Sequence, residues 1–393
     1  MRFSLRFLAN LLACLVLWLA ASAVSASAQT LGDEPYVSAA RNAILMDAKS
    51  GQVYYEKDPD TAIPPASMSK LMTQAIVFDL LKSGDLKPDQ MFTVSTNAWK
   101  KGGAAAKGST MYAKAKSEIS ILNLLRGSII HSGNDACITL AEGIDGKEQT
   151  FVNRMNAKAE EIGLKHSTFR NSTGLPDPNH KMSVRDIATL ARYIITNHPD
   201  YFPIYGEKSF TWNEITQPNR NPLLVDYPGA DGMKTGFTKE AGYGLVGTVQ
   251  RDGRRLIMVI AGLPSIDERK SEAEKLFDWG LSKFRAIEVY SDGDRVGQAR
   301  VWGGKADWVD LVTKGSFSVA LTKEERKTAE VKLSYKGPLL APVRAGDQVG
   351  TVKVFIEGRA IAELPVMTSE SVEAVDSMWQ KALDSAMIMA FGG

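Results

Sequence analysis

The apolar positions of this chain change their spacing several times, and each change marks an element. Ile44-Leu45-Met46-Asp47 and Gln52-Val53-Tyr54-Tyr55 flank Ala48-Lys49-Ser50-Gly51, which predicts a hairpin. After Pro64-Pro65 an almost wholly apolar helical stretch runs from Ser67 to Leu81 and stops at Gly84. A helix that is apolar on most sides belongs in the middle of a domain. A second helical region spans about Ser117 to Ile130, breaks at Ser132-Gly133-Asn134 and resumes to about Glu142. Lys147 to Ile162 and Val184 to Thr196 have ordinary helical periodicity. Gly244 to Val249 and Arg255 to Ala261 sit on either side of Arg251-Asp252-Gly253-Arg254, a second hairpin, and Asp267 to Leu281 is an amphipathic helix. Two hairpins with helices inserted between them predict an α+β domain over residues 29–284.

From Ile287 the texture changes. Short β-prone runs (Ala299–Trp302, Asp307–Val312, Phe317–Leu321, Glu330–Tyr335, Gln348–Ile356) alternate with Gly, Pro and Asp turns, which predicts a small all-β module over residues 285–367. Residues 368–393 then return to helical spacing. Val372, Val375, Met378, Trp379, Leu383, Ala386 and Met389 line one side, with Glu373, Asp376, Gln380 and Asp384 on much of the other, which predicts a C-terminal amphipathic helix.

The N-terminus reads differently again. Arg2 and Arg6 precede the apolar run Leu11 to Ala20, and Ala26-Ser27-Ala28 follows. A basic start, a short apolar centre and an A-x-A site predict a secretory signal over residues 1–28, so the rest is expected to be exported. Removing that segment takes two arginines and no acids from 47 basic and 45 acidic residues, which leaves a net charge of zero. Nothing in that balance favours nucleic acid. Cys137, in the apolar run Ala136 to Leu140, is the one cysteine left, so no internal disulfide is available and the fold depends on packing.

A serine is a poor nucleophile until something takes its proton. His166, His180 and His198 lie in polar surroundings, His131 has no obvious acidic partner, and no G-x-S-x-G elbow is present. A lysine base is better supported. Ser67-Met68-Ser69-Lys70 puts Ser67 and Lys70 on one face at a helix start, where free backbone N–H groups meet developing oxyanion charge. Burial in that apolar setting would make the lysine easier to deprotonate. Ser-x-x-Lys alone occurs by chance on the order of once in a chain of this length. Ser132-Gly133-Asn134 and then Lys234-Thr235-Gly236, the latter just ahead of the second hairpin, change the odds. Ser132 could alternatively cap the helix that follows it, and Lys234 could be an exposed edge-strand residue.

The ordered set Ser-x-x-Lys, Ser-x-Asn, Lys-Thr-Gly resembles penicillin-binding proteins and serine β-lactamases. More specifically, Pro65 to Thr73, Ser132 to Ala136, Asn171-Ser172-Thr173-Gly174-Leu175-Pro176, Asp231 to Gly236 and Ala241-Gly242-Tyr243 resemble the low-molecular-mass penicillin-binding proteins that are D-alanyl-D-alanine carboxypeptidases of the S11 serine peptidase family. Tyr335 to Val343 and Gly346 to Pro365 resemble that family's C-terminal β domain. The resemblance implies a penicillin-binding, serine β-lactamase-like fold and a role in peptidoglycan maturation and cell shape. Its substrates are peptidoglycan stem peptides ending in D-Ala-D-Ala, and β-lactams acylate the same serine. It implies catalytic roles for Ser67 as nucleophile, Lys70 as base and Ser132 as proton relay. Asn134, Lys234, Thr235, Gly236 and Phe237 would bind substrate, the backbone N–H groups of Ser67 and Phe237 forming the oxyanion hole, with Arg255 near the substrate carboxylate. Some family members carry His at the position of Phe237, which bears on side-chain preference or deacylation.

The resemblance further implies peripheral attachment to the inner membrane through the C-terminal helix. In residues 368–393 only Lys381 is basic against four acids, so adhesion would rest on apolar residues such as Trp379 and Phe391. No cofactor or metal is expected. A class A β-lactamase would need a glutamate in the stretch Asn171 to Met182, which has none. A D,D-endopeptidase shares the acyl chemistry and stays the nearer alternative. A non-enzymatic wall-binding protein with a decayed site is disfavoured by the intact motifs.

Overall fold

The computed structural model describes residues 36–377, Trp379 and Ala382. The predicted leader over residues 1–28 lies outside them. Strands β1 (Asn42–Asp47) and β2 (Val53–Lys57) form the first hairpin, with Gly51 at a φ of 77° in its turn. Strands β3 (Ala230–Thr238), β4 (Gly242–Arg251) and β5 (Arg254–Leu263) complete an antiparallel five-stranded sheet in the order β2-β1-β5-β4-β3. Asp252 and Gly253 both take positive φ, 50° and 74°, as a two-residue hairpin turn demands. The segment carrying Lys234 is thus itself a strand, and it is the sheet's edge.

The strand period sorts the sheet's side chains. Ile44, Met46, Ile257 and Val259 enter the main helical core. On the other face Leu45 meets the closing helix at Gly280, and Met258 meets it at Phe277 beside Gly247. Helix α1 (Lys70–Ser83) runs through the middle of the helical core, buried from Lys70 to Phe78, and ends at Gly84 with φ 84°. Around it lie α2 (Ile121–Ile129), α3 (Asn134–Asp145), α4 (Glu148–Ile162) and α5 (Val184–Asn197), while α6 (Ile266–Lys283) closes the domain. Two predicted starts differ. Residues 66–69 form a 3-10 turn before α1, and Glu118–Ser120 is a strand paired with Met91–Thr93. Helix α2 therefore begins only at Ile121, where the Ser120 hydroxyl accepts from the Asn123 N–H.

The β module contains the five predicted runs together with Arg285–Tyr290, paired to Phe317–Leu321, and Arg359–Thr368, paired to Gln348–Ile356. The Gln52 side chain both donates to the Ala320 carbonyl (2.6 Å) and accepts from its N–H (3.0 Å), joining the β1–β2 turn to the module. The helix predicted from residue 368 does not begin there. Val372 pairs with Val343 and Ala374 with Gly304, because the Val372 side chain finds an apolar berth in the β-module core. Apart from Trp379 and Ala382, the rest of that predicted helix lies outside the described residues.

Candidate active site

The 3-10 turn Ala66–Ser69 holds Ser67 at the mouth of a cleft while Lys70, one turn later, points beneath it. Ser67 is half-buried, and Lys70 is 0% exposed. Lys70 Nζ stands 2.9 Å from Ser67 Oγ, 2.8 Å from Asn134 Oδ1 and 2.6 Å from the Thr173 carbonyl. Three acceptors match the three donors of an ammonium group. Burial, reinforced by the Arg220 charge against the opposing pull of Cys137 and Asp135, lowers the Lys70 pKa to about 8.

Ser132 sits between α2 and α3 in a left-handed conformation, φ 59°. It is not the cap of α3, a place taken by Gly133, and its hydroxyl instead accepts from Lys234 Nζ at 2.9 Å. A non-glycine residue in this region costs on the order of 1–3 kcal/mol, a cost tolerated where function needs the geometry. Lys234 is 2% exposed, so the reading of it as a solvated edge lysine fails. Its pKa lies well below the usual lysine range, through burial first and then repulsion from Lys70 and Arg220. Two buried ammonium groups repel, so the pair gives up one proton more readily than either would alone.

Close backbone approach sets this geometry. A Cβ on Gly236 would stand 3.0 Å from the Pro65 carbonyl, so glycine lets β3 lie against the turn that bears Ser67. Gly174, with φ 77°, is tighter still, since a Cβ there would meet the Ala66 carbonyl at 1.9 Å. Phe237, half exposed, stacks on Tyr243 with ring centroids 4.2 Å apart at the cleft rim. The outer edge of β3 faces no further strand of its sheet, which suits it to take an extended peptide as an added strand.

The cleft encloses ≈ 390 Å³ and is lined by Ser67, Asn134, Thr173, Gly174 and Phe237, among others. Its charged lining residues, Lys107 and Arg220, are both cationic. Ser67, Lys70, Ser132, Asn134, Lys234, Thr235, Gly236 and Phe237 thus come together. Arg255 does not line the cleft. Its guanidinium pairs with Asp231 at 2.7 Å and lies over the Phe202 ring, so it braces the start of β3. Arg220, hydrogen-bonded to Ser109, lines the cleft instead, and buried Arg269, over the Tyr243 ring, adds to the field that lowers the Lys234 pKa. Sequence reading missed both arginines, which carry no local motif. It also missed Asp135, fully buried, whose carboxylate accepts from Thr110 Oγ1 and the N–H groups of Met111 and Ala113 and so ties the cleft wall to α3. Among the described residues no cluster of His, Cys, Asp or Glu is placed to hold a metal ion, and no helix is long and apolar enough to cross a membrane.

Known proteins resemble this chain over most of its length. Residues 28–265 match the family described as D-alanyl-D-alanine carboxypeptidase, and residues 284–374 match the C-terminal domain of penicillin-binding protein 5. The D-alanyl-D-alanine carboxypeptidase DacD of Escherichia coli (strain K12) is 38% identical over 84% of this chain and 86% of its own length. The crystal structure of penicillin-binding protein 5 from Haemophilus influenzae is similar over 87% of this chain and 100% of that one, with 34% identity and a TM-score of 0.79. Penicillin-binding protein D2 from Listeria monocytogenes, solved in its ampicillin-bound form, is similar over 64% of this chain and 100% of that one, with 27% identity and a TM-score of 0.55. The chain belongs to the D-alanyl-D-alanine carboxypeptidase family of serine-type peptidases, with a penicillin-binding protein 5 type C-terminal domain over residues 284–374.

Proposed function

We propose that this protein removes the terminal D-alanine from peptidoglycan stem peptides ending in D-Ala-D-Ala, through an acyl-enzyme on Ser67. The observation that carries the reading is a wholly buried lysine amine 2.9 Å from a reachable serine hydroxyl. The peptide lies along the edge of β3, its terminal carboxylate drawn by Thr235 and the positive field of Lys234 and Arg269, its amide held by Asn134. Neutral Lys70 takes the Ser67 proton as Oγ attacks the penultimate D-alanine carbonyl. The backbone N–H groups of Ser67 and Phe237 receive the oxyanion. Lys70 passes that proton to Ser132 as Ser132, bonded to Lys234, gives its own to the departing D-alanine nitrogen, which leaves an ester on Ser67 and a neutral Lys70. Water then attacks the ester and gives one proton to Lys70, which returns it to Ser67 Oγ as the ester bond breaks, and the shortened peptide leaves as its carboxylate with the second proton lost to solvent.

The same serine attacks β-lactams, whose opened ring stays attached, and the ampicillin-bound Listeria relative supports this extension. The leader-like N-terminus supports action outside the cytoplasm, with the C-terminal segment touching the membrane surface. Incubation with a fluorescent penicillin followed by peptide mass spectrometry tests the chemistry. The label is expected on the peptide containing Ser67 and absent from Ser67→Ala and Lys70→Ala. Label on another residue, or undiminished label in Ser67→Ala, would refute it.

A further inference from the structure

Glu148 opens α4, far in sequence from the three motifs, yet it reaches the wall of the cleft. Its Oε1 accepts from the Ser172 N–H at 3.1 Å and from Ser172 Oγ at 2.7 Å. The Ser172 carbonyl in turn accepts from Thr73 Oγ1 at 2.7 Å, three residues beyond Lys70 on α1. The next carbonyl, that of Thr173, accepts from Lys70 Nζ at 2.6 Å. Asn171 Oδ1 closes the loop by accepting from the N–H groups of Thr173 and Gly174 and from Thr173 Oγ1.

We propose that Glu148 is a positioning residue for the general base: through Ser172 it fixes the Thr173 carbonyl, and that carbonyl orients the Lys70 amine toward Ser67. The inference rests on Lys70 being the base. A neutral amine has two N–H donors and one lone pair. With the donors held by Asn134 Oδ1 and the Thr173 carbonyl, the lone pair is left facing Ser67 Oγ, where it can accept the serine proton. If the Thr173 carbonyl swings away, the amine donates to Ser67 Oγ instead, and proton transfer in the required direction stops. The position of one backbone carbonyl therefore decides whether the base is productive.

Ser172, the residue just before that carbonyl, is held from two sides, by Thr73 on α1 and by Glu148 on α4. No glutamate lies in the stretch Asn171 to Met182 itself; α4 brings the Glu148 carboxylate to it. Its Oε1 is already engaged by two donors of Ser172, which suits it to hold the loop. Other charged groups act on Lys70 directly, namely Arg220 and Asp135. Glu148 acts at one remove, through hydrogen bonds.

The test uses the full chain carrying Glu148→Ala, Glu148→Gln or Ser172→Ala. Stopped-flow acylation by a fluorescent penicillin over a concentration series separates the limiting rate from half-saturation. Glutamine keeps an oxygen that can accept both Ser172 donors. Glu148→Ala is expected to lower the limiting rate about tenfold or more with half-saturation unchanged, because small misplacements of a catalytic group are costly. Glu148→Gln should stay within about twofold of wild type, a rescue that a requirement for the charge itself would not give. Ser172→Ala, which removes one of the two donors and leaves the Glu148 carboxylate in place, should lose rate by about threefold. A wild-type limiting rate in both Glu148→Ala and Ser172→Ala overturns the proposal, as does a Glu148→Gln variant no faster than Glu148→Ala. If wild type itself takes no label, it is the assignment of Ser67 and Lys70 that fails.

Discussion

Lys234 Nζ stands 2.9 Å from Ser132 Oγ across 102 residues of chain, so the third motif supports the second directly, from within the buried interior. The lysine also donates to its neighbour's carbonyl, that of Thr235, at 3.2 Å. These two bonds aim one charge at the Ser132 hydroxyl and fix the Lys234 amine midway along β3.

Lys234→Ala should therefore damage both binding and chemistry. Loss of a preorganised charged donor at a reacting centre typically costs about 10²-fold or more. D-alanine release and penicillin acylation are expected to fall together by about that factor in steady-state and stopped-flow assays, with the melting temperature near wild type. A variant retaining near wild-type acylation would remove Lys234 from the mechanism.

The acylation rate should follow deprotonation of Lys70. Burial lowers that amine to about 8, so below that pH the neutral fraction, and with it the limiting rate, drops about tenfold per pH unit. Arg220 helps to hold the value down, so Arg220→Gln moves the acid limb to higher pH. Limiting acylation rates between pH 6 and pH 9 check both statements. A rate flat across that range contradicts them.

His180 gives a separate stability prediction. It is buried against Phe169, and burial lowers its pKa from the ordinary histidine value near 6.5 to about 4. The unfolded chain therefore binds a proton first as pH falls. Stability is full above about pH 6.5, declines between there and pH 4, and has lost about 3 kcal/mol below that. Urea denaturation at pH 7 and pH 4.5 should show this loss in wild type and a smaller one in His180→Gln. Equal losses in the two proteins would exclude His180 as the source.

The parts of the site that sequence made legible are those where spacing alone fixes geometry. Ser67 and Lys70 share a face because three residues make nearly one helical turn, and the break at Ser132-Gly133-Asn134 is visible because an apolar helix stops there. Lys234-Thr235-Gly236 was legible as a motif but not as a buried strand. That Lys234 is inside follows from β3 packing on the turn at Pro65, a contact between distant segments. Arg220, Arg269 and Glu148 reach the site or its wall by tertiary packing alone, and a lone charged residue looks the same on any surface helix or loop. Arg255, which the family resemblance put near the substrate carboxylate, pairs with Asp231, a partner that spacing along the chain does not announce. In the fold, helix periodicity placed α4 to α6 to within a residue or two, while Val372 and Val375 carried helical spacing into a segment that pairs as extended chain.

The most direct test of the mechanism is D-alanine release from a soluble pentapeptide ending in D-Ala-D-Ala, with wild type beside Ser67→Ala. Wild type should release one D-alanine per peptide and Ser67→Ala none above background. A wild type that labels with penicillin yet releases no D-alanine, or a Ser67→Ala variant that still releases it, would contradict the mechanism.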